Sequence, residues 1–441
     1  MKINPTNNKP TNFENNFYNV TRELDASVPL SRALIDVVGT DIPWIVMSNN
    51  SQERKERARK LSVVFSVAYL SPFLTLPLSN RFAMKNVGKL TNDFWSNNHK
   101  AIHISNEFLK NSDDMIKELR NMSKKTPRGP IETVYNKFNK SNYEQKIDID
   151  QLLKSCNGDK ELLRQKILKS KNAVFVSDCY FSFGTMGIFP FLSNEITKNE
   201  SGQTGFSAEM NMADKEIVEK RAKDYEKNKQ KKFMTFCTIL TGMALGCTTA
   251  SHGALLSEKS NKIIKYLKNN AKAFDYTKGI YMNRLPLLLG SITAQLGFVL
   301  ASRNKTEQKD NTIRYGVGDA VFFGGDLALG SMMYGISDKV FDTKLTKNNE
   351  KNTSVLRKMF PETKSIKQII EEADSGKIAL KNKKIASSIF WGNLGVIALT
   401  MGYAIPKIVN KMIKSDVEKY SDELNEFDKS EYNKNLEFLY R

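Results

Sequence analysis

Long apolar stretches alternate with long charged ones along this chain, and the alternation is not that of an ordinary amphipathic helix. Six stretches are almost free of charge: Leu61–Leu78, Ala173–Leu192, Phe233–Leu256, Leu285–Ala301, Val317–Ile336 and Ile385–Pro406, each of 17 to 24 residues. Each is close to the ~20 apolar residues that carry a helix across ~30 Å of hydrocarbon. A packed helix of a water-soluble protein keeps a polar face at a 3.6-residue period. LSVVFSVAYLSPFLTLPL (61–78) and LPLLLGSITAQLGFVLA (285–301) have no charged face. The expected fold is therefore all-α: a polytopic membrane protein with about six transmembrane helices and helical extramembrane loops.

Between the stretches the usual helical signals return. Residues 1–50 open with the Asn-rich MKINPTNNKPTNFENNFYN, expected to be disordered. In Leu30–Met47 two short apolar runs are broken by Asp36, Gly39, Asp41 and Pro43, which suits an interfacial or re-entrant piece. Ser51 as N-cap and Glu53 in the first turn start a basic helix, SQERKERARK, that runs into the first stretch. Residues 51–192 hold the first two spans and a 94-residue loop. In that loop Phe108, Met115, Ile116 and Leu119 share one helical face, Lys124–Pro130 breaks the pattern, and Asp150–Leu168 resumes it. Residues 193–406 hold a charged helix, Ala208–Lys232, continuous with the third span, and then spans three to six. Their loops contain a basic amphipathic helix, with Ile263, Ile264 and Leu267 among Lys259, Lys262, Lys265 and Lys268. They also contain a helix at Ser365–Ala373 closed by Gly376. Residues 407–441 form a charged tail.

Composition sharpens the pattern. The chain has 441 residues and a net charge of +19, from 67 Lys+Arg against 48 Asp+Glu. None of those basic residues falls in the six stretches, and only three acidic ones do: Asp178, Asp319 and Asp326. Lys or Arg in mid-span costs about 2.5–3.5 kcal/mol, so lipid explains the exclusion. Six crossings would put both termini on one side, with 21 basic residues near the span ends there and 23 on the other. The positive-inside rule then gives no orientation. The expected partners are a lipid bilayer with anionic headgroups and a membrane or soluble protein. No aromatic-interleaved basic patch points to nucleic acid. The expected location is a membrane, taken as a bacterial cytoplasmic one.

Little catalytic chemistry is visible. No phosphate loop, dinucleotide fingerprint, zinc motif or nucleophile elbow occurs in a credible context, so neither cofactor nor metal is expected. His99 and His103 lie in a polar segment and are expected at the surface; His252 is expected as a span-end residue. Cys179, Cys237 and Cys247 fit as small apolar side chains. The three carboxylates are the sharp feature, because ionisable groups inside a membrane face the bundle interior or water. Asp319 and Asp326 are two turns apart on one face, with Gln295 and Asn393 as hydrogen-bonding candidates from neighbouring spans. A purely structural role would pair Asp319 with Arg314 and Asp178 with Lys171. The pattern DxxFxxG occurs twice, as Asp178-Phe181-Gly184 and Asp319-Phe322-Gly325, and would invert if three spans were duplicated, an architecture transporters use. Gly242/Gly246, Gly290/Ala294 and Thr293/Gly297 are small pairs suited to close helix packing.

Three functions fit. The first is a structural or interaction-mediating multipass protein working through its long basic loops. The second is an ion- or proton-coupled transporter using the intramembrane carboxylates. The third, a membrane-embedded lipid-acting enzyme, lacks a visible nucleophile or metal set. A cavity joining the carboxylates favours transport; a dry core of small residues favours structure.

Overall fold

The computed structural model describes residues 12–26, 31, 33–70, 75–122, 147–258, 261–275, 284–347 and 359–439, with the backbone alone at 12–15, 70, 284, 326 and 423–439. Lys124–Pro130 and Lys259 lie outside the described residues. Within them the secondary structure is helical, apart from isolated bridges between Met210 and Ala213 and between Thr346 and Thr363.

The first helix, α1 (Asn12–Ala26), occupies sequence expected to be disordered. It is held there by tertiary contacts: Trp391 Nε1 donates to Thr21 Oγ1 at 3.1 Å, and Lys383 stacks on the Tyr18 ring at 4.7 Å. Next, α2 joins a π segment, Ile35–Asp41, to a short α-helical one, Ile42–Val46. Then follow α3 (Ser51–Leu70), α4 (Thr75–Phe82, extended by a π turn at Ala83–Val87), α5 (Ser112–Met122) and α6 (Ile149–Lys154). At the start of α3 the cap is Asn50, whose Oδ1 accepts from Glu53 N at 2.8 Å; Ser51, the expected cap, is already helical.

Two long helices come next. Helix α7 (Lys160–Ser201) and α8 (Lys215–Leu256) each run 42 residues. After them come α9 (Lys262–Asn269), α10 (Arg284–Leu300) and α11, which runs unbroken through Lys305–Asn311, Thr312–Val317, Ala320–Gly325 and Asp326–Val340. A short helix, α12 (Ile366–Asp374), lies where a helix was expected and has Ser365 as its cap. The last helix, α13, runs through Lys381–Leu399, Thr400–Ala404 and Ile405–Leu439.

Among the described residues three helices, not six, are long and apolar enough to cross a membrane: α7, α8 and the Lys381–Asp422 part of α13. The first apolar stretch is divided between α3, whose other half is charged, and α4. The fourth lies on a shorter apolar helix, Leu285–Leu300. In the fifth, Asp319 and Asp326 reduce the hydropathy of α11.

Glycines set the tightest packing. A Cβ on Gly297 of α10 would overlap the Gly187 carbonyl of α7, one on Gly187 would enter the Phe236 ring, and one on Gly290 the Phe183 ring. Gly242 and Gly246, the GxxxG of α8, have nothing within 4 Å of such a Cβ. The small pairs of α10 therefore make the close contacts, and the GxxxG faces outward.

The bundle has two unlike ends. At one, α5, α6 and the first half of α7 pack around Leu90, Ile104, Leu109, Met115, Leu119, Leu152 and Leu163. There His99 is buried, contrary to the surface position expected for it, and His103 Nε2 lies 3.2 Å from Asn80 Nδ2. Burial pushes the His99 imidazole down to about 3, so it is neutral. At the other end the charged half of α3 meets the start of α11.

Candidate functional site

A cavity of about 120 Å³ runs between α2, α3, α7, α10, α11 and α13. On α10 its lining runs from Leu287 through Ser291 and Gln295 to Phe298, a rise of roughly 16 Å at 1.5 Å per residue. It is thus elongated along the bundle. Most of the lining is apolar, but Asp36, Asp41, Asp178, Arg314 and Gln295 all reach it.

Local backbone geometry aims the carboxylates. Both DxxFxxG copies coincide with a π turn: Asp178 immediately precedes Cys179–Gly184, and Asp319 immediately precedes Ala320–Gly325. The helices that carry them run in opposite directions through the bundle. A π turn inserts one residue into an α-helix, and such bulges concentrate at functional sites. Each carboxylate accepts from a serine: Ser182 Oγ donates to Asp178 at 2.8 Å, and Ser291 Oγ donates to Asp319 at 3.2 Å. Gln295 Nε2 donates to Ser291 Oγ at 3.3 Å, which extends the Asp319 chain along α10. Asp319 and Gln295 also line a second, more open cavity of about 600 Å³ between α10 and α11.

No known protein family, curated protein or solved structure matches this chain. The site's chemistry must be derived from its own residues.

Of the expected residues, Asp178 and Gln295 line the first cavity, and Asp319 and Gln295 line the second. Asn393 stands apart, on α13 near Gly330, and lines neither cavity. The side chain of Asp326 lies outside the described residues. The ion pairs of Lys171 and Arg314, expected with Asp178 and Asp319, are made with other carboxylates among the described residues. Lys171 binds Asp275 at 3.1 Å, both fully buried, and Arg314 binds Asp310.

The sequence reading missed Asp36, Asp41, Tyr69 and Arg314. Tyr69 Oη donates to the Asp36 carboxylate. Asp36 and Asp41 were visible as charges interrupting an apolar run, the same signal that marked Asp178. They enter the cavity because Gly39 lets α2 lie against Ala398 of α13, where Trp44 Nε1 donates to the Met401 carbonyl at 2.7 Å.

Arg314 closes one end. Its Nε is taken by Asp310 and its Nη2 by Asn410 at 3.3 Å, while the guanidinium lies 5.1 Å from the Trp44 ring centre. Its Nη1, like Thr40 Oγ1, has no hydrogen-bond partner among the described residues, and both side chains line the cavity. Behind Arg314 lies a buried charge cluster. Arg57 bridges Glu53 at 2.5 Å and Asp310 at 3.0 Å; Arg303 bridges Glu56 at 2.9 Å and Glu307 at 2.8 Å; Lys60 meets Glu56 at 2.5 Å. Burial works against the Glu56 charge, but Arg303 and Lys60 outweigh it and hold the carboxyl well below its usual range. At the rim, burial pushes Glu209 up to about 7 despite Arg221 at 2.8 Å.

Proposed function

We propose that this chain is an integral membrane protein whose helices enclose a path for protons or small cations, closed at one end by Arg314 and its charge cluster. The observation that carries the reading is the inverted distribution of polarity. The bundle buries Glu53, Glu56, Arg303, Glu307, Asp310 and Arg314, yet exposes Met234, Leu245, Leu327, Val396, Leu399 and Ile408. Only 17% of the apolar window of α8 is buried, an arrangement that suits lipid and not water. Inside that apolar exterior, the elongated cavity joins Asp178 to Asp36 and Asp41. It supplies what the transport reading requires and a dry small-residue core does not.

On this reading α3, α7, α8, α10, α11 and α13 cross, with α2 lying alongside α13 as a seventh element. Asp178 and Asp36 hold or hand on a proton or cation, with Ser182, Ser291 and Tyr69 as hydrogen-bonding partners. Arg314 imposes a positive barrier at one mouth. The test is flux in reconstituted vesicles driven by a pH or cation gradient. Asp178→Asn keeps shape and hydrogen bonding but removes the charge, and is expected to abolish the gradient-dependent flux while the protein still inserts. Unchanged flux in that variant would remove Asp178 from the path. A structural role through basic loops also has an observation in its favour, the exposed helix α9.

A further inference from the structure

Helix α9 presents an apolar face that the protein leaves uncovered. It begins with Asn261 as a cap, whose Oδ1 accepts from Ile264 N at 2.8 Å, and none of its residues is buried. Ile263 is 71% exposed and Tyr266 65%. Lys262 and Lys265 flank that face, and neither has an ion-pair partner among the described residues.

The position of α9 is fixed relative to the ends of the long helices. Lys268 Nζ donates to the Ser257 carbonyl at 2.7 Å, and Ser257 N donates to Gly253 O at 3.0 Å, so α9 folds back on the end of α8. Just beyond it, Asp275 is held by Lys171, two residues before the apolar stretch of α7 begins. Helix α9 therefore sits at the level where α7 and α8 leave their apolar segments.

Charge distinguishes this end from the other. Near Arg314 the cations Arg57, Lys60, Arg221, Arg303 and Arg314 each meet a carboxylate of the protein itself. At the α9 end Lys171 pairs with Asp275 and Lys272 with Glu107, whereas Lys262 and Lys265 on α9 itself meet no carboxylate among the described residues. An amphipathic helix with lysines beside an apolar face is complementary to an interface with negative charge above hydrocarbon. Tyrosine is at home at the same depth.

We propose that α9 is a binding surface for anionic phospholipid. Ile263 and Tyr266 enter the boundary between headgroups and acyl chains, and Lys262 and Lys265 meet lipid phosphates. The end of the bundle bearing α9 then faces the more anionic, cytoplasmic leaflet, an orientation the loop charges alone do not provide. This inference rests on the membrane reading above.

The test uses the full chain in proteoliposomes of phosphatidylcholine, with or without phosphatidylglycerol. The four native cysteines are replaced and a bimane fluorophore is attached at Ile263→Cys. In phosphatidylglycerol vesicles, lipid-attached nitroxide should quench the probe several-fold more than in phosphatidylcholine, and aqueous iodide correspondingly less. Lys262→Glu with Lys265→Glu should erase that dependence on lipid charge while the protein remains inserted. A probe that iodide reaches equally in both vesicles overturns the proposal. So does protection from iodide without nitroxide quenching, which would mean a protein covers the face. Alkaline carbonate extraction of the same vesicles separates the two levels: release of the chain ends the membrane reading itself, whereas a retained chain with a water-exposed probe ends only this inference.

Discussion

Single side chains in the buried cluster set how stability responds to pH and to mutation. Glu209 ordinarily titrates near 4.5 and is raised to about 7 by burial, facing Arg221, Asn304, Arg303 and Glu307. Between those values the folded protein holds a proton that the unfolded chain has lost. Its contribution is therefore complete below 4.5 and lost as pH rises through 7. At ~1.4 kcal/mol per pH unit, that difference amounts to about 3 kcal/mol. Thermal unfolding in detergent should show this fall in the wild type, and Glu209→Gln should flatten it relative to the wild type. Asp310 presents the opposite case. It bridges Arg57 and Arg314, so Asp310→Ala leaves the buried Arg314 without its carboxylate and Arg57 with Glu53 alone. Removing one partner of a buried pair costs about 3–5 kcal/mol, a loss that the same unfolding measurement reads directly. Equal stability of Asp310→Ala and wild type would mean that the cluster is open to water.

Among the elements, packing depends on which glycines meet a neighbour, and motif spacing does not reveal that. Gly297→Ala should disrupt the contact of α10 with α7, seen as loss of monodisperse protein on extraction. Gly246→Ala, in the GxxxG of α8, should be neutral or stabilise by up to about 1 kcal/mol, because alanine is the better helix former and the site is open. A stable Gly297→Ala protein would contradict the packing described. What was legible in the sequence divides along the same line. Helix α12, and the run of a charged helix into the third stretch, follow from local signals and were readable, although that helix starts at Lys215 and not at Ala208. The place of Asp36 was not, since it depends on Trp44 meeting Met401, 357 residues away. Nor was the burial of Glu53, Glu56 and Lys60 within SQERKERARK, where Glu56 finds Arg303 across 247 residues. Charge within a helix reads as solvated until its counter-charge is placed, and sequence alone does not place it.

For the molecule as a whole, the proposed crossings set the topology. Helix α1 lies with α12 at one end, where Ile366 N donates to Asp25 at 3.1 Å. Helix α13 reaches the other end, where Asp416 accepts from Thr306 at 2.9 Å. On the proposed reading, counting α2 with the six crossing helices makes the number odd and would put the ends of the described chain on opposite sides, where the six stretches alone would put them on one. Impermeant thiol labelling at Val20→Cys and Lys419→Cys should reach them from opposite faces of sealed vesicles. Labelling of both from one face would return α2 to a non-crossing role.

The two π turns carry a consequence for how such a site can arise or be lost. Within an α-helix each residue turns the chain by about 100°, so one residue more or fewer rotates everything on one side relative to the other. Deleting a single residue within Cys179–Gly184 would restore a regular helix and rotate Asp178 by about 100° relative to the part of α7 beyond the turn. The direction in which this carboxylate points is therefore written in the number of residues and not in their identity. A shift in length at that turn would silence the site while leaving every residue that builds it in place.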